Sequence, residues 1–177
     1  MNKMNNKGFS LVELIVVIAI MAVLMGVLAP TLIGNIEKSR ESTDLQNLDT
    51  IRGAVVTVMA EEPVNTEITG KIGTNASIAI EMGDPASAAA SQISATDYPK
   101  LQAALQKTLA GELNMKSSAA LNATNAKVYI VITKDGVVSA CVATSEANAK
   151  AGTAVACTKT EAKSSGGTAV MRTLISK

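Results

Sequence analysis

Lys7-Gly8-Phe9-Ser10-Leu11-Val12-Glu13-Leu14, with the apolar run that follows it, is the stretch that decides how this chain reads. From Leu14 to Ala29 there are 16 residues with no charge and no strong hydrogen-bonding side chain. Thr31, Leu32 and Ile33 carry the run past Pro30. Counted from Phe9, the span is about 25 residues, long enough to cross a bilayer as a helix. Glu13 interrupts the pattern. A carboxylate in hydrocarbon costs about 2.5–3.5 kcal/mol on an insertion scale, so this one requires a partner.

Two ordinary readings fit less well. A secretory signal peptide would use Lys3 and Lys7 as its basic start and Val27-Leu28-Ala29 as its cleavage site. Pro30 would then follow the cut and block it, and a glutamate early in the apolar core is foreign to a signal. A plain single-pass anchor leaves both Glu13 and the Gly8-Phe9 step unexplained.

Gly8-Phe9-Ser10-Leu11-Val12-Glu13-Leu14 resembles the processing site of type IV prepilins and the related pseudopilins. The resemblance covers about residues 1–60. It rests on a short basic leader ending in Gly8, then Phe9, then Glu13 four residues on, then the unbroken apolar run, with Pro30 further along. The resemblance implies a prepilin peptidase that cuts between Gly8 and Phe9 and methylates the new amine of Phe9. It implies a helix that is membrane anchor and filament core in turn, with Glu13 serving assembly and register. The implied partners are other copies of the chain, the peptidase, an inner-membrane assembly platform and minor pilins. The fold it implies is α+β: a long N-terminal helix packed on a C-terminal antiparallel sheet.

Composition agrees. The chain of 177 residues has room for one modest domain beside the long helix. Lys and Arg total 16 against 15 Asp and Glu; removing Lys3 and Lys7 with the leader leaves 14 against 15, or −1. From Glu61 onward there are 11 basic and 10 acidic residues, which argues against a strong nonspecific nucleic-acid surface. The aromatic residues are Phe9, Tyr98 and Tyr129, so the core is thin and leans on the helix for stability. Lys3 and Lys7 should stay cytoplasmic, placing the C-terminal part outside the membrane.

Along the chain, Pro30 removes a backbone donor to the carbonyl of Gly26, making Gly26 to Pro30 the expected kink. Beyond it the pattern turns amphipathic. Leu45, Leu48, Ile51, Val55, Val58 and Met59 recur at helical steps, with Glu37, Lys38, Arg40, Glu41, Asp44 and Asp49 read as a solvated face. Gly53 offers a place for a strand to approach. Glu61-Glu62-Pro63 should end the helix after about 52 residues, near 78 Å.

Residues 63–83 read as a loop region with short strands around Lys71-Ile72 and Ser77 to Ile80. Asp84-Pro85 reads as the start of an alanine-rich helix to about Gln92. A second helix should run from Tyr98-Pro99 to Ala110, with Leu101, Leu105 and Leu109 on one stripe and Gly111 as its stop. Lys127 to Thr133 is the clearest strand, Lys134-Asp135-Gly136 a tight turn, and Val137 to Ala143 the partner strand. Further strands are expected at Thr153 to Thr158 and Thr168 to Ile175. The expected organisation is a cleaved leader at 1–8, a transmembrane and filament-core half-helix at 9–34, an amphipathic half at 35–62, and a globular domain at 63–177. That domain divides into a variable connection to about 125 and a β-meander from about 126.

Cys141 and Cys157 have fifteen residues between them. With no histidine and no second cysteine pair, a zinc site is not expected. Many pilins staple a C-terminal loop with a disulfide, and the resemblance implies one here; two separate buried thiols remain the alternative. Neither a catalytic constellation nor a phosphate loop is visible, and no cofactor is implied. The expectation is a structural pilus subunit, in the cytoplasmic membrane before assembly and on the cell surface after it. A pseudopilin of a secretion or DNA-uptake machine and a membrane-tethered binding module are the alternatives.

Overall fold

The computed structural model describes residues 10–109, 111–121, 125–150, 159–161, 170–172 and 175–176. It divides into two units, Met1–Glu37 and Lys38–Lys177. The helix α1 (Leu11–Met59, 49 residues) supplies most of the first unit and the opening of the second. In the first unit every residue from Ser10 to Ile36 is exposed. The best 18-residue window of α1 has a mean hydropathy of 3.0 and none of it is buried. By length and composition this helix can cross a membrane.

In the second unit α1 changes character, because its apolar residues narrow to one stripe. Leu48, Ile51, Val55 and Val58 are at most 1 % exposed, and Ala54 joins them. Leu45 and Met59 contribute less than the periodicity suggests: Leu45 is 36 % exposed and Met59 is half-buried. Gly53 faces open space, so it makes no close approach to a strand. The stripe packs in one cluster with the inner face of the sheet, giving an α+β arrangement of the pilin kind.

The sheet has the order β1-β2-β3-β6, antiparallel throughout, formed by β1 (Ser77–Glu81), β2 (Lys127–Thr133), β3 (Val138–Ala143) and the two-residue β6 (Ile175–Ser176). A separate pair joins β4 (Lys159–Glu161) to β5 (Val170–Arg172). Alternation sorts the side chains of the larger sheet. Ile78, Ile80, Val128, Ile130, Ile132, Val138, Ala140 and Val142 face the helix stripe. Ala79, Tyr129, Val131, Cys141 and Ala143 form a second buried cluster on the other face with Ala149 of the short helix α5 (Glu146–Lys150). The β2–β3 turn closes where expected: the Gly136 N–H donates to the Thr133 carbonyl (3.0 Å), and Gly136 takes φ 79°. The strand expected at Thr153 to Thr158 lies outside the described residues.

The connection between helix and sheet departs from expectation in three places. Residues 62–72 form the helix α2 (Glu62–Ile72), not a loop, and Lys71-Ile72 is its last turn rather than a strand. Pro63 does stop α1, but at the first turn of α2 its missing N–H costs nothing, so it opens the next helix. Val64, Ile68 and Ile72 then bury a stripe at four-residue spacing. Second, no helix forms over 84–92 beyond one 3₁₀ turn at Ala90–Gln92. Asp84 does cap a turn, accepting from the Ala86 N–H (2.9 Å), but the chain then extends to bridge Ala88 to Leu113. Burial of Ala88, Ala89 and Ala90 in the domain outweighs their helix propensity. The helix α3 (Pro99–Thr108) forms but stops short of the expected Ala110, burying Leu101 and Leu105, with Leu109 extended and buried just beyond it.

The third departure is Asp44. It is fully buried, not on a solvated face, and Glu41 is 8 % exposed. The two carboxylate oxygens of Asp44 accept from the N–H groups of Lys116 (2.7 Å) and Ser117 (2.8 Å), at the start of the helix α4 (Ser118–Leu121). One turn of α1 later, the Asn47 amide donates to the Asn114 carbonyl (3.3 Å). A strap at 113–117 is thus tied to α1, with Met115 also donating its N–H to the Pro85 carbonyl. Asp44→Ala would strand two inward-facing N–H groups and is expected to destabilise the domain by roughly 2–4 kcal/mol. Asp44→Asn should cost less, because its single carbonyl oxygen can still accept. Urea unfolding of the two variants measures this; a midpoint unchanged in Asp44→Ala would show that the strap contributes nothing.

Candidate functional site

The candidate site begins where the helix begins. Ser10 precedes the first helical residue, and its carbonyl accepts the Leu14 N–H (3.2 Å). Glu13 sits in the first turn of α1 and reaches back: its Oε2 accepts the Ser10 N–H at 2.8 Å. This is half of a capping box, in which a carboxylate at the third helical position satisfies the amide of the capping residue. A negative side chain in the first turn also complements the helix dipole. The pattern Ser10-x-x-Glu13 is visible in the sequence, yet the expectation for Glu13 concerned its cost in lipid and its role in assembly and register, not the helix start. Gly8 and Phe9 lie outside the described residues. Gly26 and Pro30 are both within α1, which remains helical through them.

The remaining expected site residues belong to the second unit. Cys141 lies on β3, 1 % exposed, opposite Tyr129. Cys157 lies outside the described residues. Among the described residues no group of His, Cys, Asp or Glu is arranged to hold a metal ion.

Sequence reasoning missed two carboxylates that organise the domain. One is Asp44. The other is Glu67 on α2, whose oxygens accept from the N–H groups of Lys100 (3.2 Å) and Leu101 (2.9 Å) in the first turn of α3. No signal local to either helix reveals these contacts, since the partners are 33 to 73 residues apart.

A cleft of about 350 Å³ opens beside β1, lined by Ala79, Ile80, Glu81, Lys71, Gln92, Ser94, Asp97, Tyr98 and Glu146. The Lys71 ammonium lies 5.5 Å from the centre of the Tyr98 ring and 3.8 Å from the Asp97 carboxylate. Burial first, then the charges of Asp97, Glu146 and Glu67, push the Tyr98 hydroxyl above its usual pKa. Burial, then Glu81 and Glu146, do the same to Tyr129.

With this geometry in hand, comparison with known proteins is informative. Residues 3–29 match the prokaryotic N-terminal methylation motif. The chain is similar to prepilin peptidase-dependent protein A of Clostridium perfringens (strain 13 / Type A), 37 % identical over 68 residues. That match covers 38 % of this chain and 49 % of the relative, so the chain spans about half the length of the curated relative it matches. No solved structure matches. The motif and the relative agree with the type IV pilin-like family, and with the α+β arrangement they support a protein of pilin or pseudopilin type. The exposed apolar helix and the motif together fit a membrane anchor.

Proposed function

We propose that this chain is a structural subunit of a type IV pilus, polymerising through α1 into a surface filament. The observation that carries the proposal is Glu13: one carboxylate in the first turn of a helix otherwise uncharged as far as Glu37, directly after the leader motif. In the proposed sequence of events a prepilin peptidase removes residues 1–8 and methylates Phe9. The chain then waits in the cytoplasmic membrane with its second unit outside. On assembly, the Phe9 amine of one subunit and Glu13 of a neighbour compensate each other's charge in an apolar setting. Gly26 and Pro30 mark where α1 yields in the filament, since Pro30 leaves the Gly26 carbonyl without its helical donor. The proposal is tested by electron microscopy of producing cells with a label on the second unit. Long surface fibres carrying the label support it, and their absence from cells holding processed chain favours a pseudopilin piston.

Intact-mass measurement of purified filaments should find Phe9 as the first residue, and Gly8→Val should retain residues 1–8, because a larger side chain does not fit beside the scissile bond. Wild-type filaments still carrying residues 1–8 would end the processing proposal. Glu13→Ala should leave export, cleavage and folding intact while cutting sheared filament yield sharply against the membrane pool of mature subunit. Normal yield at wild-type subunit levels would remove the assembly role. The proposed Cys141–Cys157 bridge would close a loop of about 15 residues and stabilise the domain by roughly 3 kcal/mol. Thiol labelling of exported protein without reductant should modify neither cysteine, and full labelling of both would rule the bridge out.

A further inference from the structure

The hydrogen-bond register of the sheet fixes which way each backbone group of β1 points. Ile78 and Ile80 stand opposite Ile132 and Ile130. The same register continues at both ends, where the Met82 N–H donates to the Val128 carbonyl (2.8 Å) and the Lys134 N–H to the Ala76 carbonyl (2.9 Å). Ile78 and Ile80 therefore spend their backbone groups on β2, as do the Ala76 carbonyl and the Met82 N–H, since bonded pairs recur every second residue; the Met82 carbonyl accepts from the Ala89 N–H (3.4 Å). Ser77, Ala79 and Glu81 turn theirs the other way. No described residue accepts from or donates to those backbone groups, and the sheet order leaves β1 at an edge.

The cleft lies along this edge. Ala79, Ile80 and Glu81 of β1 line it together with Lys71, Asp97 and Glu146. An unpaired edge offers N–H and C=O groups at a repeat of about 6.8 Å, a spacing that an extended peptide backbone matches. Of the four charged residues lining the cleft, three are carboxylates (Glu81, Asp97, Glu146) and one is Lys71. Glu81 and Glu146 pair with Lys127 and Lys150, which do not line the cleft, and Asp97 pairs with Lys71. All three pairs are solvent-exposed and weak, so an incoming cation can compete for the carboxylates.

We propose that the β1 edge and its cleft form a docking site for an extended segment of another protein, adding to the sheet as a strand and placing a lysine or arginine among Glu81, Asp97 and Glu146. Backbone pairing along Ser77, Ala79 and Glu81 supplies affinity, and the carboxylates choose the side chain. Lys71, held over Tyr98 beside Asp97, is the internal cation that the incoming one replaces.

The test uses the full chain in detergent micelles and a fluorescent, end-blocked peptide of alternating lysine and valine, followed by anisotropy. Three measurements carry it. Binding should weaken about tenfold when every second amide along one edge of the peptide is N-methylated. It should weaken roughly three- to tenfold in Glu81→Gln/Glu146→Gln. It should fall to background in Ala79→Pro, which removes an edge N–H without touching the β2 ladder. The glutamine double variant keeps the test decisive if Ala79→Pro fails to fold. Absence of binding to the wild type overturns the proposal, as does equal binding of the N-methylated peptide or of a glutamate-valine peptide. Dimers of the wild type that Ala79→Pro or the glutamine variant abolishes would assign the edge to a second copy of the chain and overturn it too.

Discussion

The contact between the Leu48, Ile51, Val55 and Val58 stripe of α1 and the inner face of the sheet is the interaction on which the domain depends. Its members on both sides are aliphatic, and among the described residues the core holds no Phe or Trp. Each fully buried side chain of this size contributes about 1.5–3 kcal/mol against exposure, so the core gains its energy from many small groups rather than a few large rings. Such a core must keep its members in register. The alternation in β2 does this: a slip of one residue would exchange Val128, Ile130 and Ile132 for Tyr129 and Val131. Because the opposite face is itself covered by α5, both faces of β2 read as apolar, and only the pairing register separates them.

The connection between α1 and β2 solves a different problem. It is rich in alanine and serine, and its short helices bury too little apolar surface to hold themselves. Two carboxylates supply the missing constraint. Asp44 ties the start of α4 to α1, and Glu67 ties the start of α3 to α2. Glu67 satisfies two N–H groups that α3 leaves unpaired at its first turn, and Asp44 satisfies those of Lys116 and Ser117 immediately ahead of α4. A buried carboxylate is acceptable there because it receives charge-assisted hydrogen bonds and faces the positive end of helical peptide dipoles.

These two residues also show where the sequence stops being legible. The long helix, the β2–β3 hairpin and α3 were readable because periodicity, capping and turn residues are local signals. The helix α2 was missed because Pro63 marks the end of one helix and the first turn of the next with the same residue. The alanines at 88–90 promised a helix by propensity, and tertiary burial overruled it. Asp44 was misread because a charge beside an apolar stripe is ordinarily solvated, and its partners lie more than seventy residues away. At the N-terminus the motif was legible in full, while the bond from Ser10 to Glu13 was overlooked in the same eight residues.

That bond changes how Glu13 should be understood. In the uncleaved chain the nitrogen of Phe9 is an amide without charge, so Glu13 has no charged amine at Phe9 to pair with. It accepts the Ser10 N–H instead, and in doing so fixes the start of α1 immediately after the proposed cleavage point. A carboxylate can accept through both oxygens, and this bond occupies one of them. Cleavage would then create an amine four residues away without requiring the helix start to be rebuilt. The capping bond and the charge pair are successive uses of one side chain. The first belongs to the folded precursor, and the second, in the proposed filament, requires the leader to be gone. On this reasoning the proposed cleavage would do more than remove residues 1–8: it would create at Phe9 the charged amine that the proposed pair with Glu13 requires.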